Sequence, residues 1–339
     1  MIQRLLIAAT LTLAPVVAAA DLVVLQYHHI SDQTPASTST TTELFATHLE
    51  RIHQLELEVV PLEAGTRAAL AGELNDRQQL AITFDDAYTS VWTTAAPMLE
   101  DAGYPYTIFV DTASVGQPGY MTWDQLRQAS QRQGVTVANH SHGHGHLAKR
   151  PDESASAWRE RASNSLDQAQ ALLENNLGEA PPLFAYPYGE YDQALEQLVD
   201  ARDWLAYGQQ SGAIGETSDA GRLPRFPMAT AYGQPESLND KLRSRSLPVS
   251  ASDLPDGILD DNPPELTLTL PAGLRPDALT CFGSGQGRLP VTIDGQRVTV
   301  RAPEAFNSRR FRYNCTYPAG NGQFYWLSQQ WLDLTRPED

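Results

Sequence analysis

Two short stretches of this chain place unusual chemistry at the ends of apolar runs. Thr83-Phe84-Asp85-Asp86 follows Leu80-Ala81-Ile82. Two adjacent carboxylates ending a buried strand repel one another unless a cation or a division of labour separates them. Asn139-His140-Ser141-His142-Gly143-His144-Gly145-His146 follows Val135-Thr136-Val137-Ala138 and holds four of the chain's eight histidines. His140 and His144 are four apart, so a helical turn after the strand would put both imidazoles on one face, with His142 pointing elsewhere. Asp86, His140 and His144 then form a three-ligand set that leaves coordination positions for water and substrate, the pattern of a catalytic rather than a structural metal. On these residues alone two plainer readings stay open: an Asp pair that caps the next helix, and a solvated histidine turn that binds metals adventitiously.

Two weaker signals lie at other run ends. Phe184-Ala185-Tyr186-Pro187-Tyr188-Gly189 is a turn whose proline fixes the backbone and which can present an N–H to a developing oxyanion, although it also reads as a simple strand-to-helix turn. Tyr27-His28-His29 ends the first run, where a histidine can serve as a general acid because its pKa lies near working pH.

The elements that must position these residues alternate. Apolar runs at 22–27, 57–62, 80–84, 106–110, 135–138, 183–186 and 204–207 are separated by helical patterns at 42–56, 66–75, 88–102, 122–133, 153–177 and 190–203. The first helix has Thr40 and Glu43 at capping-box spacing, with Phe45, Leu49 and Ile52 on one face. Continuous apolar strands separated by helices imply a parallel sheet covered on both sides, hence an α/β fold: a (β/α) barrel or a doubly wound sheet. In either, chemistry gathers at the C-terminal ends of strands. The character changes after about residue 233. Residues 241–264, rich in Pro, Ser and Asp, read as a linker. Residues 265–339 are strand-rich, with a hairpin signal at Asp294-Gly295, and are expected to form a small β-sandwich.

The chain has 339 residues, 41% hydrophobic and 19% charged, enough for a large α/β domain with a smaller one attached. Lys plus Arg number 24 against 41 Asp plus Glu, a net charge of −17, which disfavours a nucleic-acid partner. Residues 1–20 show the charged, apolar and small-residue order of a secretory signal, with cleavage expected after Ala20; a retained membrane anchor is the alternative. No later segment qualifies as transmembrane. Export would take the protein to the periplasm or outside the cell, where its only cysteines, Cys281 and Cys315, are expected to pair.

Taken together, TFDD, the His140-Ser141-x-x-His144 run and the YPYG turn, in this order and at these strand ends, resemble the polysaccharide deacetylase family, carbohydrate esterase family 4, over about residues 21–231. The resemblance implies a distorted (β/α) barrel, reaching to about residue 240, and metal-dependent removal of acetyl groups, usually N-acetyl, from amino-sugar polymers. It implies Asp85 as the base, Asp86, His140 and His144 as metal ligands, and the Tyr188 N–H as the oxyanion donor. Two places depart from the family pattern. Ala185 stands where an Arg usually positions the base, and the usual late Leu-x-His is absent around Leu223-Pro224-Arg225-Phe226. The opening VLQYHHI is similar to the biofilm-type subgroup that acts on poly-N-acetylglucosamine, in which the barrel is circularly permuted and the acid comes from the first strand. That implies His28 as the acid; His29 is the weaker candidate, since adjacent strand residues face opposite sides. Met121-Thr122-Trp123-Asp124 resembles the subgroup's fourth motif, with Trp123 lining the groove and Asp124 in support, although Thr122 and Gln125 could equally be a helix cap.

These residues imply a reaction in which Asp85 takes a proton from water and His28 protonates the departing amine. Tyr27, Trp123, Tyr186, Pro187 and Tyr188 are expected to line the glycan site. Zinc suits two imidazoles and a carboxylate, with cobalt, nickel or iron as other fits. Two rival functions remain: a glycan-binding or export protein on a degenerate barrel, motivated by Ala185 and by Tyr325, Trp326 and Trp331, and an O-acetyl esterase using the same site.

Overall fold

The computed structural model describes residues 20–74 and 77–338, so the leader expected over residues 1–20 lies, apart from Ala20, outside the described residues. Its largest sheet is built from β1 (Leu22–Tyr27), β2 (Gln79–Phe84), β3 (Tyr106–Val110), β4 (Val135–Asn139), β5 (Leu183–Ala185) and β6 (Leu205–Tyr207). All neighbouring pairs along this order are parallel. One extended segment then curls the sheet closed. Leu223 bridges Tyr207 of β6, and three residues later β7 (Phe226–Pro227) pairs with Leu25–Gln26 of β1. The expected distorted (β/α) barrel is therefore present.

Strand alternation sorts the side chains into layers. Leu22 and Val24 of β1, Ala81, Phe109, Ala138, Leu183, Ala185, Leu205 and Tyr207 share one interior cluster. Leu62 and Ala69 of α2 (Leu62–Leu70) join it, and the Thr66 hydroxyl meets that of Tyr207 at 2.8 Å. The opposite parity, Val23, Leu25, Tyr27, Leu80, Ile82, Phe84, Ile108 and Val110, faces outward onto α1 (Thr42–Gln54), α3 (Ala96–Ala102) and α4 (Trp123–Ser130). Phe184, Tyr186 and Ala206 face out against α5 (Ala155–Leu177) and α6 (Gln193–Asp200). The first helix is capped by Thr41, which accepts from the Leu44 N–H, rather than by Thr40. Thr40 sits one residue earlier in a short strand and gives its hydroxyl to the Met228 carbonyl at 2.8 Å.

Beyond α7 (Pro235–Leu242) two further sheets face each other. One is antiparallel β8 (Glu265–Thr269), β11 (Arg297–Arg301) and β10 (Val291–Asp294); the other runs β13 (Gln323–Leu332), β12 (Arg310–Gly320) and β9 (Thr280–Gly283). Leu266, Leu268, Val298 and Val300 from the first meet Phe311, Tyr313, Cys315 and Trp331 from the second. Cys281 and Cys315 are directly opposite partners in β9 and β12 and are bonded. Residues 241–264 are seated rather than loose: Arg245–Ser246 pair with Tyr325–Trp326, and Leu247 and Val249 are buried in the second core. Trp326 sets its edge on Phe226 of the barrel, with ring centroids 5.1 Å apart. No helix among the described residues is long and apolar enough to cross a membrane.

Candidate active site

Interior parity carries a second consequence at the C-terminal ends of the strands, where the inward positions turn polar: Gln26, Thr83 and Asp85, Asp111, and His140. Alternation by itself would send Asp86 away from Asp85. The chain prevents this by leaving the strand in left-handed conformations at Asp86 (φ 71°) and Ala87 (φ 57°). Such conformations in residues other than glycine cost on the order of 1–3 kcal/mol each and persist where the surroundings impose them. Five of the eight described instances, Asp86, Ala87, Ser141, His144 and Tyr188, belong to this site.

His140 and His144 meet here, but not through a helical turn. Residues 140–146 form a loop, folded by positive φ at Ser141 (72°), Gly143 (92°) and His144 (47°). The Asp111 carboxylate holds it by accepting the Gly143 N–H at 2.7 Å, and the Asn139 side-chain oxygen accepts the Ser141 N–H at 2.7 Å. His142 turns away to Thr112, 2.9 Å from its hydroxyl, as its position between the other two implied.

Asp86, His140 and His144 each offer one ligand atom, all within 4.8 Å of one another. Asp86 Oδ1 lies 3.4 Å from His140 Nε2 and 3.2 Å from His144 Nε2. Asp86 Oδ1 and His140 Nε2 are buried with no hydrogen-bond partner, a costly condition that a cation between them would relieve. The other nitrogen of His140 lies 2.7 Å from the Ala185 carbonyl, which only accepts, so Nδ1 carries the proton and the Nε2 lone pair faces the site. The residues therefore fit a divalent metal. Burial opposes a charge on every group here. At Asp86 the imidazoles of His140, His28 and His144 outweigh it and hold the carboxyl well below its usual range. At His140 the two carboxylates also win and raise the pKa, whereas burial and the His140 charge push His144 down to about 4.

Asp85 has no exposure to solvent. Burial would raise its pKa, but Arg225 overrides that and holds it at about 2. The Arg225 guanidinium grips both carboxylate oxygens, at 2.7 and 2.8 Å, and Gln26 Nε2 adds a third bond at 2.6 Å. Arg225 is itself buried, and donates to the Gly208 carbonyl at 2.9 Å. The missing arginine at position 185 is thus supplied from the barrel-closing segment, one strand pairing away from β1.

Other expected residues fall in different places. His28 is half-buried at the end of β1, and its charge is among those that hold Asp85 and Asp86 low. His29 stacks on Tyr88, centroids 3.5 Å apart, and Tyr88 in turn leans on Tyr120 at 4.9 Å. Tyr88 went unnoticed in the sequence although it is only two residues past Asp86, whose charge helps raise its pKa. Tyr27 and Tyr186 do not line a groove. Both face outward from the barrel into the helical layers with at most 1% exposure; Tyr27 bonds His48 at 3.0 Å and Tyr186 the Gly221 carbonyl at 2.7 Å. Pro187 is buried. Trp123 begins α4, half-buried against the same outer core as Tyr27, and Thr122 with Gln125 makes a full capping box. Asp124 is exposed and paired with Arg127 at 2.6 Å, a surface pair rather than a support for the site. Tyr188 sets its ring 4.6 Å from that of His144 and flat on that of His146 at 3.9 Å.

Residues 73–203 match the family model described as polysaccharide deacetylase. A Bacillus subtilis (strain 168) protein named as a polysaccharide deacetylase, YxkH, is 24% identical over 203 residues, 60% of this chain and 67% of its own length. Among solved structures, the Streptococcus pyogenes deacetylase PplD in complex with acetate matches with a TM-score of 0.59 at 21% identity, covering 66% of this chain and 99% of that one. IcaB from Ammonifex degensii matches with a TM-score of 0.56 at 23% identity, covering 66% and 96%. Over residues 73–203 the chain is thus similar to the polysaccharide deacetylase family, and its barrel shares the fold of these solved structures.

Proposed function

We propose that this protein is an exported hydrolase that removes N-acetyl groups from a polymer containing N-acetylglucosamine. The observation that carries the reading is the Asp85–Arg225 pair beside the orphaned Asp86–His140 atoms: a carboxylate held ionised and oriented next to a set of side chains that fits a divalent cation. Asp86, His140 and His144 would hold the metal, with zinc the preferred ion. A bound divalent cation lowers the pKa of a ligated water to about 7 and polarises an acyl oxygen.

The chain's own residues then divide the work. Asp85 accepts the proton of the attacking water. A carboxyl held at about 2 is a weak base but is ionised at every working pH, so its value lies in fixed orientation. Arg225 and Gln26 keep both oxygens in place. The Tyr188 N–H would donate to the oxyanion that develops on the acetyl oxygen. His28 donates a proton to the departing nitrogen, a step that amides need more than esters because an amine anion is a poor leaving group. The degenerate-barrel alternative rested on Ala185 and on Tyr325, Trp326 and Trp331; Arg225 supplies the cation that Ala185 lacks, Trp331 is buried and Trp326 packs on Phe226. As the product's amines are uncovered it becomes cationic, which suits a chain of net charge −17.

Acetate release from β-1,6- and β-1,4-linked N-acetylglucosamine oligomers, measured with and without chelator and after zinc is restored, tests the reading. Chelator-sensitive release is expected, reduced about 10²- to 10⁴-fold in Asp85→Asn with its metal content unchanged. Full activity of that variant would remove Asp85 as the base. Faster release from O-acetyl than from N-acetyl substrates would turn the assignment to an esterase.

A further inference from the structure

The mechanism leaves unexplained why the C-terminal sheet reaches the barrel's site. Glu190, two residues past Tyr188, is 1% exposed, and its carboxylate is gripped from two directions. From the barrel, His146 Nδ1 lies 2.9 Å from Oε2. From the C-terminal sheet, Arg309 spans both oxygens at 2.9 and 3.2 Å, and Arg310 at the start of β12 reaches Oε1 at 2.8 Å. The two-point contact of Arg309 fixes the carboxylate plane, which fixes the His146 ring that bonds to it.

That ring lies on Tyr188 with an interplanar angle of 5°, and the Arg310 guanidinium sits 5.1 Å from the centroid of the same tyrosine. Tyr188 needs such support. It holds φ 59° and ψ 1°, a left-handed conformation that persists in a residue other than glycine only where its surroundings impose it. Gly189 continues the turn at φ 69°, and a Cβ there would meet Gln209 at 2.7 Å, so the backbone on that side has no slack.

We propose that Arg309 and Arg310 are positioning residues for the acyl-transfer site. Through Glu190 and His146 they hold the Tyr188 peptide in its reactive orientation, so the C-terminal β unit completes the barrel's site. The role of the held peptide rests on the deacetylation reading above; the holding itself does not.

The test uses full-length protein carrying fluorotyrosine, with the Tyr188 resonance assigned by Tyr188→Phe. Arg310→Met and Glu190→Gln are expected to shift that resonance and lower kcat about 10- to 100-fold. KM and zinc affinity of the metal-free protein should stay within about three-fold of the parent. Arg310→Lys should recover part of kcat, since it restores the charge without the planar fork. Arg288→Met, on an exposed strand of the same sheet, should change none of these. Should Glu190→Gln fail to fold, Arg310→Met decides, because Arg309 and His146 still neutralise Glu190 there. An unmoved Tyr188 resonance with unchanged kcat in Arg310→Met overturns the proposal, as does a kcat loss matched by an equal loss of zinc affinity. If the parent releases no acetate from any acetylated glycan, the deacetylation reading falls, and the fluorine shift still decides whether the arginine pair holds Tyr188.

Discussion

The barrel's C-terminal rim and the C-terminal β unit obey opposite rules within one chain. The β unit follows local pattern: Leu266 and Leu268 alternate inward, Val298 and Val300 answer them, and the left-handed Asn321 sits in the tight turn between β12 and β13. The rim breaks pattern repeatedly. It buries Asp85, Asp86, His140 and Arg225 and bends Asp86, Ala87, Ser141, His144 and Tyr188 into left-handed conformations. Where local rules fail together at strand ends, the sequence is serving a site, and the stability cost is carried by the layers around it.

The contrast can be broken most sharply at Arg225. Arg225→Met strips Asp85 of its bidentate cationic partner in full burial, and breaking a pair of this kind typically costs about 3–5 kcal/mol. Acetate release should fall with it, and Asp85→Asn, which leaves the buried Arg225 charge unpaired, should lose activity at a comparable cost in stability. The pair also sets acid sensitivity. A carboxyl whose folded pKa is depressed contributes stability above its unfolded pKa, near about 4, and loses that contribution as pH falls toward 2. Glu190, held at about 2 by His146, Arg309 and Arg310 against its burial, adds to the same window. Denaturant melts of the parent should therefore lose stability as pH falls from about 4 to 2, and Arg225→Met should flatten that fall.

Arg225 also marks the limit of what could be read in advance. Asp86, His140 and His144 were legible because their signal is local: an acidic pair and a histidine spacing, each behind an apolar run. The barrel was legible because seven apolar runs alternate with helical ones. Arg225 gave no local signal. It stands in the segment where a Leu-x-His was sought, and only the closing of the sheet, by Leu223 against β6 and Phe226 against β1, turns it toward a carboxylate 140 residues away. Tyr27 could have been set aside from the same alternation that separates His28 from His29: if His28 faces inward with Gln26, Tyr27 faces the helices. The helical reading of 140–144 failed for a different reason, since Ser141, Gly143 and His144 adopt positive φ that no helix tolerates and that spacing alone does not reveal.

The β unit should break elsewhere. Its disulfide closes a separation of 34 residues, for which loop-closure entropy gives about 3 kcal/mol. Cys281→Ala with Cys315→Ala is expected to lower stability by roughly that amount in denaturant melts. Zinc affinity should be unaffected where the protein is folded, because Asp86, His140 and His144 all lie in the barrel. A loss of zinc binding from the folded double variant would erase the distinction between the two regions.

The smallest effect tests whether every buried carboxylate in the barrel belongs with the rim. Glu196 on α6 is largely shielded from solvent without the bidentate support of Asp85: its Arg222 contact is 3.8 Å long, and Oε1 has no hydrogen-bond partner. Burial, with Asp219, Asp256 and Asp192 nearby, therefore prevails over Arg222 and raises its pKa to about 8. The sign of its linkage is the reverse of Asp85. A raised folded pKa contributes stability that is full below the unfolded value, near about 4.5, and is lost as pH rises through 8. Glu196→Gln removes the ionisation while keeping the shape, so it should gain on the order of 1–2 kcal/mol at pH 8 and little at pH 5. Melts of parent and variant at the two pH values measure this directly. Equal stability at pH 8 would mean that Arg222 compensates Glu196 after all, and the Asp85 geometry would then not be what distinguishes a supported buried carboxylate from an unsupported one.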